Sequence, residues 1–187
     1  MTGLAAEAPD NKTISIVATY LEAHRIASSL RAEKGRGRPT GRTEVRMNTK
    51  LHAVTDATGR PICFLMSAGE VSGDTGARAL VSSVPAADWL LGDRGCDAGP
   101  FREALANRGM TPCIPRRKSR GNPSNTPHVT LPRNAGRAAD KRRYRKRNRI
   151  EVMFGRLKDW RRMVTRYDRS PAVFLSAIAL AATVIFR

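Results

Sequence analysis

Apolar and β-branched residues crowd the run TISIVATYL, residues 13–21, and a short continuous run of this kind predicts a buried strand. Residues 1–12 ahead of it are expected to form a disordered lead-in. From Glu22 to Arg46 the chain turns polar and basic and ends in GRGRPTGR. That composition builds no core; it reads equally as a flexible connector or as a loop that follows a phosphate backbone. The runs KLHAVT (50–55) and PICFLM (61–66) flank DATGR, which predicts an antiparallel hairpin with a tight turn. Asp56 opens an Asp-x-x-Gly turn and is expected to cap it rather than hold a metal. Residues 72–84 predict a helix with Ala77, Leu80, Val81 and Val84 on one face and Asp74 in the first turn, where the helix dipole favours an acid. DWLLGD, residues 88–93, predicts a short strand that delivers Asp93 at its carboxyl end. Open α/β sheets collect their ligands there, although an aspartate so placed can equally cap the next turn. A helix carrying Phe101, Ala104 and Leu105 should follow, stopped by residues 107–109, and then a short strand over 110–114.

The second half changes character. In KRRYRKRNRIEVMFGRLKDWRR, residues 141–162, Ile150, Phe154, Leu157 and Arg161 fall at helical spacing. Tyr144, Arg147, Glu151 and Lys158 then share a neighbouring face, because steps of three, four and seven residues return to nearly the same side. Glu151 is a lone acid in a run of cations. One reading is a solvated face with Arg147 and Glu151 as an i,i+4 ion pair, worth a few tenths of a kcal/mol, roughly. The other is an acid that works beside phosphate-binding cations. Residues 116–140, rich in Pro, Asn, Ser and Gly as well as Arg, predict a basic loop that orders on DNA. The apolar tail over 171–186 is shorter than the roughly 20 residues of a membrane helix and predicts a buried core helix.

Composition narrows the field. With 187 residues, 41% of them apolar, the chain has room for one domain with a real core, here residues 13–187. A net charge of +18 and a pI near 11.3 point to a polyanionic partner. Residues 116–150 hold thirteen Lys or Arg against one acid, so the positive charge is local. Cys63, Cys96 and Cys113 are odd in number and lack the paired spacings of a disulfide framework or zinc site. They are expected to be reduced thiols of a cytoplasmic protein. His24, His52 and His128 form no ligand motif, which argues against a zinc enzyme. The amino terminus has neither the basic nor the apolar segment of a secretory signal.

The spacing Tyr144-x2-Arg147-x3-Glu151-x6-Lys158 resembles the signature around the last catalytic carboxylate of bacterial insertion-sequence DDE transposases. LLGDRGCD, around Asp93, is similar to the block that carries their second catalytic aspartate, with Cys96 where that family usually has Tyr. ATYLEAHRIASSL from Ala18, MNTKLHAVTDATGRPI from Met47, CIPRRKSRG from Cys113 and FGRLKDWRRMVTRYDR from Phe154 extend the resemblance, most closely to the insertion-sequence-five group. It implies an α/β fold, a ribonuclease-H-like mixed sheet flanked by helices. It implies that Asp93 and Glu151 are catalytic acids that hold divalent metal, Mg2+ or Mn2+. Two such ions, roughly 3.5–4 Å apart, clamp the attacking and leaving oxygens of an in-line displacement at phosphorus. Tyr144, Arg147 and Lys158 are implied to lie against a bound transposon end, joined by the basic residues Arg142, Arg143, Arg116, Arg117 and Lys118. The implied partner is double-stranded DNA, element ends and target, held by a dimer. Asp97 is then assigned the helix start.

The chain departs from the family pattern in four places. The first catalytic Asp normally lies in the first strand just before Ala-Thr-Tyr-Leu, and here that position is Val17. Asp10 and Glu22 are the nearest acids, and either needs a shifted register to replace it. The family usually carries an amino-terminal helical DNA-binding segment, whereas this sequence begins almost at the first strand, so the chain is expected to be truncated. Glu44, Val45 and Arg46 replace a Lys-Gly-Gly turn, and the segment near 134–140 is lengthened. Three functions compete: an impaired transposase catalytic domain, a noncatalytic protein that occupies transposon ends, and a basic RNA-binding module.

Overall fold

A computed structural model of the chain describes residues 13–24, 27, 41–42, 47–115 and 136–187. The lead-in, most of the basic connector, and residues 116–135 with Arg116, Arg117 and Lys118 lie outside the described residues. The central strand is β1, Thr13–Ala23. It pairs antiparallel with β3, Met47–Thr55, and parallel with β5, Trp89–Gly92. β6, Thr111–Cys113, extends the parallel side. β4, Pro61–Ala68, pairs antiparallel with the far edge of β3, which also carries the two-residue β2, Gly41–Arg42. The two-residue β7, Thr165–Arg166, runs parallel to β1 at Glu22 and Ala23. The described residues thus form a seven-stranded mixed sheet. It is the ribonuclease-H-like arrangement, three antiparallel strands followed by two parallel ones.

Alternation along β1 assigns its side chains to two layers. Ile14 and Ile16 join Val54 and Leu90 beneath α1, Gly73–Val81, and α2, Gly99–Ala106. Val17 and Leu21 join Leu51 and Ala53 beneath α4, Asn148–Asp159, and α6, Pro171–Ile185. α3, Gly136–Lys146, and the short α5, Arg161–Val164, complete the helices described. The hairpin expected from DATGR is present. Asp56 Oδ1 accepts from the backbone N–H groups of Thr58 and Arg60 and from the Thr58 hydroxyl at 2.7–2.9 Å, so the residue caps its turn. Gly59 takes φ +91°, which the tight turn needs and a β-carbon would strain.

Four expectations need correction. Asp97 does not start α2; Pro100 occupies the first turn, Ala98 is the cap residue, and the buried Asp97 instead pairs with Arg102 Nε at 3.0 Å. The basic loop ends earlier than residue 140, because Gly136–Lys146 is helical. The stretch 141–162 is not one helix: a turn at Arg147 separates α3 from α4, and the extended backbone of Trp160 (ψ 105°) ends α4. The tail helix α6 is buried on one side only. Phe174, Ile178 and Ala182 lie in the core, whereas Val173, Leu180 and Val184 are exposed, since a single layer of sheet covers one face of a helix. No helix among the described residues is long and apolar enough to cross a membrane.

Candidate functional site

β5 ends at Gly92, which pairs with Ile16 of β1, and Asp93 is the next residue. The paired register ends there, one residue short of Val17 and Asp93. Asp93 is half-buried and caps the 3-10 turn Arg94–Cys96, its Oδ1 accepting from the Cys96 N–H at 3.1 Å. A β-carbon on Gly95 would lie 2.9 Å from that oxygen, so glycine lets the turn fold back onto its own carboxylate. Gly73, at the start of α1, stands against the same turn: its β-carbon would sit 3.4 Å from the Gly95 carbonyl group. The turn is therefore fixed by its own backbone and by α1.

Beneath α1 lies a histidine that the sequence reading passed over. His52 is buried, and a β-carbon on Gly76 would be 2.1 Å from its ring. Its Nε2 is 2.8 Å from the Ser67 hydroxyl, which directs its own hydrogen to the Ala68 carbonyl at 3.2 Å, so Nε2–H is the donor. Burial first, and then the Lys50 charge, lower the His52 pKa from 6.5 to about 4, with Asp93 opposing weakly. Nothing in KLHAVT marks this role, because a lone histidine in a strand carries no spacing signal. Burial also pushes up the Cys96 thiol, with help from Asp93, and raises Cys63 to about 11.

Glu151 sits in the first turn of α4, exposed, and Oε1 accepts from Arg147 Nη2 at 2.7 Å. The Arg147 guanidinium lies 5.1 Å from the Tyr144 ring centroid. Three of the four spaced residues thus touch in series, and the i,i+4 ion pair anticipated by the plainer reading is present. Lys158 is set apart: its Nζ donates to Thr19 Oγ1 of β1 at 2.7 Å. Arg142 is exposed, while the Arg143 guanidinium stacks 3.9 Å from the Trp89 ring centroid, over the strand that leads to Asp93. Arg149 donates to the Ala57 carbonyl and ties α4 to the hairpin turn.

The donors present do not fit a two-cation centre. Val17 contributes an isopropyl group, 8% exposed, to an apolar cluster with Ile150, Met153 and Phe154 of α4. Asp93 and Glu151 each have one oxygen engaged elsewhere. Among the described residues no three Asp, Glu, His or Cys side chains converge as a metal ligand set.

The family "Transposase DDE domain" matches residues 11–186. A protein of Brucella ovis named as a transposase for insertion sequence element IS6501 is 30% identical over 141 residues, 75% of this chain and 98% of that protein. A second, from Burkholderia cepacia and named for insertion sequence element IS402, is 30% identical over 105 residues, half of each chain. With nearly its whole length matched, the chain belongs to the insertion-sequence DDE transposases.

Proposed function

We propose that this chain is the catalytic domain of an insertion-sequence-five-type transposase, spanning residues 13–187. By descent it belongs with enzymes that cleave and transfer DNA strands, in which Asp93 and Glu151 would be two of the carboxylates that hold Mg2+ or Mn2+, and this copy is impaired because Val17 stands where the first aspartate belongs. The observation that supports this reading is that Val17, where the family pattern has an acid, is a buried apolar residue packed among Ile150, Met153 and Phe154 on the strand that pairs with β5. An isopropyl group offers no lone pair to a cation, and two carboxylates are a poor substitute for three. The protein acts in the cytoplasm on double-stranded DNA, as a dimer that brings two element ends together. Tyr144, Arg147, Arg142 and Arg143 contact the DNA, as do Arg116, Arg117 and Lys118 of the preceding segment. The test is divalent-cation-dependent nicking of element-end DNA by the parent, Val17→Asp and Glu151→Gln forms. The expected outcome is a silent parent and a nicking Val17→Asp form; nicking by the parent that Glu151→Gln abolishes would show that another acid fills the first position.

A second reading is a noncatalytic protein that occupies element ends and competes with an intact transposase. It is favoured by the basic face, since the Tyr144–Arg147 and Arg143–Trp89 stacks do not involve Val17. If it holds, the parent binds end DNA with or without divalent cation, and Val17→Asp leaves that affinity unchanged.

A further inference from the structure

Lys158 is the one member of the Tyr-Arg-Glu-Lys spacing that turns away from the others. Its ammonium crosses from α4 to the central strand, where Thr19 lies on the same face as Val17 and Leu21. The surroundings are apolar. Lys158 lines a small cleft together with Thr19, Leu21, Leu51, Phe154 and Leu157. A cation in such a place keeps its stem against hydrocarbon and directs its head to the available oxygen.

We propose that Lys158 is a positioning residue: its bond to Thr19 pins α4 in register on β1 and so fixes where Glu151 stands relative to Asp93 and position 17. The geometry follows from the chain path. Beyond Lys158 the chain advances to Thr165, which pairs with Glu22 three residues past Thr19, so α4 leads along β1 in the strand's own direction. Two residues back along β1, about 6.7 Å, is Val17. Seven residues back along α4, about 10.5 Å, is Glu151. The apolar contacts of Ile150, Met153, Phe154 and Leu157 hold the helix to the sheet but tolerate sliding, because packing of this kind is non-directional. The Arg149 bond to the Ala57 carbonyl holds the first turn of α4 to the hairpin, and the Lys158–Thr19 bond is the directional contact that ties its carboxyl-terminal half to β1. The role differs from the DNA contact that the spacing implies for Lys158, and it belongs to the fold, so it stands whether or not the site cuts DNA.

The test uses the full chain with paired spin labels at Val152→Cys on α4 and Glu103→Cys on α2, both exposed positions. The half-buried Cys113 is changed to Ser; Cys63 and Cys96 are buried with raised pKa values and react slowly. The expected result is one narrow label distance in this reference form. It should broaden or shift by about 1.5 Å or more, one helical residue's rise, in both Lys158→Met and Thr19→Val, and stay narrow in Lys158→Arg. A bond that merely added stability would lower the melting temperature and leave the folded-state distance unmoved. An unchanged distance in both variants overturns the proposal. So does a loss of about 0.9 from the salt slope of DNA binding in Lys158→Met with Thr19→Val like the parent, since that is the mark of a phosphate ligand.

Discussion

At the scale of single residues, the balance between burial and charge decides most of what distinguishes this chain. His52 is held neutral because its ring lies under Gly76 with Lys50 nearby. Its folded pKa, about 4, lies below the ordinary histidine value of 6.5, so the unfolded chain takes up the proton first as the pH falls. The resulting stability is fully present above pH 6.5 and is lost between there and about pH 4. The loss is on the order of 3 kcal/mol. Urea unfolding across that window should show it, and His52→Asn, which cannot titrate, should flatten the slope. Val17 illustrates the same balance from the other side. A carboxylate there would enter the cluster of Ile150, Met153 and Phe154, where its charge is costly unless a cation shares the site.

At the scale of elements, close approach and one-sided burial set the layout. Gly76 lets α1 settle directly onto β3, since any β-carbon would strike His52. α6 shows what a helix on one face of a sheet must do: its fifteen residues carry no charge, yet one side meets the core and the other meets solvent. The two sides should respond differently to truncation. Ile178→Ala removes a side chain that is 1% exposed and should cost about 2–5 kcal/mol. Leu180→Ala, at 67% exposed, should change stability by no more than about 0.5 kcal/mol. Denaturant midpoints of the two variants check this directly, and equal losses would mean that both faces are covered in solution.

At the scale of the whole molecule, a charge of +18 dominates. A protein that neutralises six to ten phosphates loses about 10³–10⁵ in affinity between 50 and 200 mM salt. We expect duplex DNA binding to fall at least about a thousandfold over that range, measured by fluorescence anisotropy. The basic surface is built from several places. Arg143 stands on Trp89 of the sheet, Arg147 lies between Tyr144 and Glu151, and Arg149 is anchored to the hairpin turn. Neutralising one of them should reduce the slope by a single contact and leave the rest in place.

The sequence by itself determined the order of the main strands and helices up to Cys113, the hairpin at DATGR, the capping work of Asp56, and the family signature around Asp93 and Glu151. These rest on local periodicity, turn chemistry and residue spacing, all of which survive in one dimension. It also determined that position 17 is apolar. Only the tertiary structure decided that Val17 packs among Ile150, Met153 and Phe154 of α4, on a strand whose parallel neighbour β5 ends just before Asp93, because packing and register are relations between segments far apart in the chain. The same holds for Asp97, whose ion pair with Arg102 replaces the helix start expected of it, and for His52, which is defined by what packs over it. Lys158 is the clearest case. Its spacing groups it with Glu151, and its partner is Thr19, 139 residues away, because a hydrogen bond follows distance in space and not along the chain.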